Sequence, residues 1–146
     1  MLRGNVLATV DGKGRLKLPA AYRAAIESRF GNQLFVTSLR GESALIYPLE
    51  VYTAIEERLL GASKVEPVVS RLRNAMNFYG QAATIDSQGR ILVHPLLRQR
   101  AAIQGEVAVL GQQNYLEVWN RQIFEESLKN DPLTDADLKE LASLGF

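Results

Sequence analysis

Three cations, Lys13, Arg15 and Lys17, occupy alternate positions of one short stretch, and Asp11 stands two residues ahead of the first. In a β-strand such alternation puts Arg15 and Lys17 on one face and Leu16 and Leu18 on the other. With Lys13 at the tip of the preceding turn, the result is a ribbon with an apolar side and a cationic side. Cations this close repel one another unless an anion lies against them. A two-stranded ribbon fits the DNA major groove, where arginine bridges guanine O6 and N7 and lysine neutralises phosphate.

The same pattern returns later in the chain. Asp11-Gly12-Lys13-Gly14-Arg15-Leu16-Lys17-Leu18 is matched by Asp86-Ser87-Gln88-Gly89-Arg90-Ile91-Leu92-Val93 at an offset of 75 residues, and Arg23 and Arg98 keep that register. Ile46-Tyr47 and Val118-Trp119 correspond at a slightly shorter offset of 72, as a three-residue loop difference would give. The chain is a tandem duplication, and two units each too small to bury an apolar face should share one core. The copies differ in charge: Gln88, Arg90 and Leu92 stand where Lys13, Arg15 and Lys17 stand, so a common scaffold divides the work. An internal role competes with the ligand role, because a half-buried Asp-Arg pair in each copy would also fasten its turn.

Other chemistries find little support. His94 is the sole histidine, lies beside Pro95 at a strand end, and has no cysteine or evident serine partner. Asp11 and Asp86 are better explained by their turns than as paired catalytic carboxylates. No metal-ligand spacing occurs, and no cofactor is implied. The expectation is a protein that is not an enzyme.

The elements that carry these residues follow from pattern. Val6 to Val10 and Arg15 to Leu18 alternate as strands around Asp-Gly-Lys-Gly, which predicts a β-hairpin whose turn Asp11 fastens through backbone amides and in which Gly12 and Gly14 tolerate positive φ. Pro19 suits a helix start, and Tyr22, Ala25, Ile26 and Phe30 form a helical stripe that Gly31 ends. Leu34 to Thr37 and Ala44 to Tyr47 read as strands and Leu49 to Leu60 as a helix. The second copy repeats the order with Ala82 to Ile85, Arg90 to Val93, a short helix from Pro95, Glu106 to Leu110, a turn over Gly111-Gln112-Gln113-Asn114, and Tyr115 to Trp119. Between the copies, Pro67 to Tyr79 has helical spacing and reads as a packed connector. Ile123 to Leu128 and Ala136 to Leu144 complete the chain as helices, with Thr134 as a cap and leucines that need cover from the protomer or from a neighbour. The aromatic residues Tyr47, Tyr52, Trp119 and Phe124 fall at matching places and read as core or subunit contacts.

Composition sets the wider limits. The 146 residues include no cysteine, so there is no disulfide framework and a reducing compartment fits. No apolar run is long enough to span a bilayer, and the N-terminus lacks the run of a signal peptide. Net charge is only +1, yet residues 1 to 29 hold six cations against two carboxylates, and residues 121 to 146 hold three against six. Such asymmetry suggests one face for an anionic partner.

Together these residues carry a resemblance. The duplicated D-x-x-G-R turns with their apolar alternation and short helix, the N-terminal Leu2-Arg3-Gly4 and the Leu45-Ile46-Tyr47-Pro48-Leu49 stretch resemble the MraZ family of bacterial transcriptional regulators over nearly the whole chain. The resemblance implies an α+β, mainly β fold in which two fused AbrB-like, swapped-hairpin units form one barrel with packed helices. It divides the chain into a first repeat over 5–52, connecting helices over 53–80, a second repeat over 81–124 and a C-terminal helical segment over 125–146. It implies a cytoplasmic, nucleoid-associated repressor that binds double-stranded promoter DNA with repeated boxes, upstream of its own operon and the division and cell wall genes, as a ring-like homo-oligomer. Carried onto this sequence, the motif places DNA contact at Arg3, Lys13, Arg15, Lys17 and Arg90, with Asp11, Gly14, Asp86 and Gly89 as turn residues. His94 departs from the pattern, since its counterpart in the first copy is Pro19. The rival reading is a structural ring-former or protein-interaction scaffold whose Asp-Arg pairs are purely internal.

Overall fold

The computed structural model describes residues 1–61 and 66–146; residues 62–65, within the expected connecting segment, lie outside the described residues. The first repeat consists of β1 (Leu2–Val10), β2 (Arg15–Lys17), α1 (Ala20–Phe30), β3 (Gln33–Thr37) and β4 (Ala44–Pro48). Helices α2 (Leu49–Gly61) and α3 (Pro67–Phe78) lead to the second repeat, β5 (Gln81–Thr84), β6 (Arg90–Leu92), α4 (Pro95–Arg100), β7 (Gly105–Gln113) and β8 (Leu116–Asn120). The chain closes with α5 (Arg121–Asn130) and α6 (Asp135–Ala142). Local signals account for most boundaries. Pro19 and His94 sit just before α1 and α4 in extended conformation, and Gly31, at φ 85°, stops α1. Thr134 accepts from the Asp137 amide while Asp137 accepts from the Thr134 amide, so α6 begins on a complete capping box.

The eight strands form one antiparallel sheet in the order β5-β3-β4-β8-β7-β1-β2-β6, curled so that its end strands approach each other in a nearly closed barrel. The order is that of an exchange between repeats. β1 runs its full length against β7 of the second copy, from Leu2 opposite Gln113 to Val10 opposite Gly105. β5 of the second copy runs in the same way against β3 of the first. The equivalent strands β2 and β6 pair with each other, as do β4 and β8. The expected hairpin of β1 with β2 therefore exists only at its turn. Beyond the single pair Val10 and Leu16 the strands part to partners in the other repeat. Neither repeat could keep its backbone hydrogen bonds alone, so the duplication is one cooperative unit.

The core follows from this exchange. Leu16, Leu18, Ile26, Leu34, Val36 and Ile46 of the first repeat pack in one cluster with Ile91, Val93, Leu97, Ile103, Val107, Val109, Leu116 and Val118 of the second. A smaller cluster of Leu45, Tyr47, Tyr52 and Met76 seats α2 and α3 on the sheet, which bears out the packed connector. The paired aromatics are also in place: Tyr47 against Tyr52 and Trp119 against Phe124, with ring centroids 5.7 and 5.2 Å apart and planes inclined by 47° in both. Two local expectations change. Strand β7 continues through Gly111 to Gln113, so the turn into β8 is tighter than the four residues expected, and Gln113 takes it up with φ 74°. In the C-terminal segment Leu128, Leu138 and Leu144 remain exposed and α6 buries no residue, so the protomer's own helices do not supply their cover.

Candidate nucleic-acid interface

Each repeated turn is built the same way. Asp11 Oδ1 accepts from the backbone amides of Lys13 and Arg15 at 3.0 and 2.9 Å, while its Oδ2 accepts from Arg15 Nε at 2.7 Å. Asp86 Oδ1 likewise accepts from Gln88 and Arg90 amides at 2.8 and 2.9 Å, and its Oδ2 from Arg90 Nε at 3.0 Å. One carboxylate thus closes the turn with one oxygen and aims the arginine with the other. The Arg15 amide, followed by the Arg15 side chain and the Lys13 amide, stabilises the ionised form and lowers the Asp11 pKa to about 2. The same donors in the second copy, led by the Arg90 amide, lower that of Asp86. Both aspartates are permanent anions at neutral pH. The turn pairing uses only Nε, and among the described residues neither Arg15 nor Arg90 makes a hydrogen bond through its Nη nitrogens.

The two turns are locked to each other. Leu18 donates its amide to the Gly89 carbonyl and Val93 donates to the Gly14 carbonyl, both at 2.9 Å, so each second strand ends on the other repeat's turn. Gly14 and Gly89 have φ of 82° and 77°, the left-handed region where a side chain is strained. Their open sides are occupied from the opposite repeat: a Cβ on Gly14 would stand 1.6 Å from Arg98 Nη1, and one on Gly89 would stand 2.9 Å from Arg23 Nη1. Gly12, by contrast, has ordinary φ and nothing within 4 Å, so only one of the two glycines in the first turn is needed for its conformation. Arg23 and Arg98 were visible in the sequence only as register matches. Their place under the partner repeat's turn is a tertiary fact.

The register of β2 with β6 assembles the exposed face. Leu16 lies opposite Ile91 and both are fully buried, whereas Arg15 lies opposite Leu92 and Lys17 opposite Arg90. Strict alternation then puts Arg15, Lys17, Arg90 and Leu92 together on the outer surface of one two-stranded ribbon. Lys13 is exposed at the adjoining turn. Of the expected contact residues, Arg3 stands apart: it is exposed on β1 opposite Gln112, seven residues before the end of that strand. At about 3.3 Å per residue it is roughly 23 Å of strand from the turn. Tyr22 fixes that remote end by donating its hydroxyl to the Gly4 carbonyl at 2.7 Å.

His94 is buried and its Nε2 lies 2.7 Å from the Tyr79 carbonyl oxygen, a structural junction between α4 and the end of α3. No group of three metal-ligating side chains occurs among the described residues. No helix of the described residues is long and apolar enough to cross a membrane.

Residues 1–74 and 79–142 fit the family described as "MraZ protein, putative antitoxin-like". The chain belongs to the MraZ family. Among MraZ relatives, the Transcriptional regulator MraZ of Koribacter versatilis is 42% identical over the whole of both chains. That of Acidobacterium capsulatum is 40% identical, also over the whole of both. The Transcriptional regulator MraZ of Escherichia coli O9:H4 is 32% identical over 96% of this chain and 95% of its own. Identity over full length means that the MraZ relatives share both repeats, not one turn motif alone.

Proposed function

We propose that this protein is a sequence-specific DNA-binding transcriptional regulator that represses its own promoter and the downstream division and cell wall genes. The observation that carries the reading is the pairing of β2 with β6, which joins Arg15, Lys17 and Arg90 in one exposed cationic face. Such a ribbon has the width to enter a major groove, where the arginine Nη nitrogens would bridge guanine O6 and N7 and the lysines would meet phosphate. Asp11 and Asp86 act indirectly, holding each arginine at a fixed angle so that little side-chain entropy is lost on binding. Lys13 would extend the contact at the turn tip, and Arg3 enters only as a contact to flanking phosphate. The transcriptional-regulator names of full-length relatives support the regulatory part of this reading.

A net charge of +1 gives one protomer little non-specific affinity. Assembly of the chain into a ring-like homo-oligomer would set several ribbons against successive boxes and raise the effective concentration of each. The rival role, a scaffold with internal Asp-Arg pairs, predicts no sequence preference. Footprinting and gel shift on the DNA upstream of its own gene, repeated over a range of salt, separate the two. The regulator gives a protected, periodically spaced site whose affinity falls steeply with salt. Equal, weak binding to promoter and scrambled duplex would overturn the reading in favour of the scaffold.

A further inference from the structure

The outer face of β2 and β6 is not uniformly cationic. Leu92 sits in it directly opposite Arg15 and is 54% exposed. Isolated exposed leucines are common and need no explanation by themselves. This one has two features that a stray surface leucine lacks. Its counterpart in the first repeat is Lys17, an exposed residue on the equivalent strand, so the barrel does not require an apolar side chain at that position. Directly opposed residues on one face of an antiparallel pair have their Cβ atoms about 5 Å apart, so a duplex touched by Arg15 must also meet Leu92.

We propose that Leu92 is a specificity residue that packs on the 5-methyl group of a thymine in the major groove, beside the base bridged by Arg15. The inference rests on the DNA-binding reading above. The reasoning is one of chemical match. Leucine cannot neutralise phosphate or bond a base edge, and the thymine methyl is the one apolar group that the major groove displays. Burying both surfaces is favourable, whereas leucine held against phosphate or a cytosine amino group leaves polar groups without water. The first repeat, with lysine at this position, gains phosphate affinity that is blind to sequence; the second exchanges that charge for discrimination. At this one position, therefore, the first repeat anchors and the second reads, while the arginines of both repeats face base edges.

The test uses the full-length protein and a duplex that it enriches from a random-sequence pool. Each thymine of the enriched site is replaced in turn by deoxyuridine, which removes the 5-methyl group and leaves base pairing intact. The parent should lose about three- to five-fold in affinity at one thymine of the site, the worth of one buried methyl-sized group. Leu92→Ala should bind the thymine and uracil duplexes alike. Leu92→Lys should gain affinity for scrambled duplex and steepen its log–log salt dependence by about 0.9, one added phosphate contact. Both substitutions lie on an exposed face, and unchanged melting curves verify that the variants are folded. If no uracil substitution weakens the parent, or if Leu92→Ala keeps the same thymine sensitivity, Leu92 does not read the methyl. Should the pool yield no preferred duplex at all, the DNA-binding reading fails together with this inference.

Discussion

Gly14→Ala is the sharpest probe of the lock between the repeats, because the structure separates its components. The backbone there has φ 82°, and an L-residue in that region is strained by about 1–2 kcal/mol. The added Cβ would stand 1.6 Å from Arg98 Nη1 and 2.8 Å from the Val93 carbonyl oxygen. Arg98 can swing aside, but the Val93 carbonyl is backbone, and moving it disturbs the hydrogen bond that the Val93 N–H donates to the Gly14 carbonyl at 2.9 Å. Loss of that bond adds about 0.5–1.5 kcal/mol. The expected destabilisation is about 1.5–3.5 kcal/mol, or a melting temperature lower by about 5–11 °C for a chain of this size. Gly89→Ala should cost only about 1–2 kcal/mol, since its φ of 77° brings strain but the atoms nearest its Cβ belong to the movable Arg23 side chain. Gly12→Ala is the internal control: with nothing within 4 Å and ordinary φ it should stay within about 0.5 kcal/mol of the parent. Thermal unfolding followed by circular dichroism on the three variants gives the order. Coincident melts for Gly14→Ala and Gly12→Ala, or a larger loss at Gly12, would refute the argument that each turn is clamped by the opposite repeat.

Three further outcomes follow. Arg15→Ala, which leaves Lys13 and Lys17 without the arginine between them, should weaken promoter binding by about 1–3 kcal/mol per site and by more than Arg90→Ala; gel-shift titration of both on one duplex checks the order. Asp11, with its pKa lowered to about 2, contributes stability that is complete above the ordinary carboxylate pKa and is lost as pH falls through the folded value. The melting temperature of the parent should accordingly exceed that of Asp11→Asn near neutrality, and the gap should close as pH is taken from about 5 toward 2; a gap independent of pH would contradict this. Removal of residues 132 to 146 deletes α6, which buries no residue, so the shortened chain should unfold within about 1 kcal/mol of the parent; collapse of the barrel would show instead that the segment is part of the core.

Much of this molecule could be read directly from residue order. The repeat at an offset of 75 residues announced a shared core, and although both glycines of the first turn suited positive φ, only Gly14 takes it. Gly14 recurs as Gly89, whereas Gly12 is replaced by Ser87, in accord with the ordinary φ of Gly12. The Asp-to-Arg spacing, the cap at Thr134 and the helical connector were legible for the same reason: each depends on neighbours a few residues away, where chain geometry leaves few choices. Strand partnership is a different matter. A period of two shows that Val6 to Val10 and Arg15 to Leu18 are strands, but the same alternation suits any neighbour, and of the first stretch only Val10 ends up buried. The short turn suggested a hairpin, and the fold instead sends β1 to β7 and β2 to β6. That choice buries apolar faces of both repeats in one core, a joint outcome no local pattern contains. The candidate site inherits the same division. Sequence alone supplied Arg15, Lys17 and Arg90 as residues fit for an anionic partner, and Arg23 and Arg98 as unexplained echoes. Only the pairing of strands that are 75 residues apart decided that the first three and Leu92 share one face, that Arg3 stands remote from them, and that the two echoes pack beneath the opposite turns.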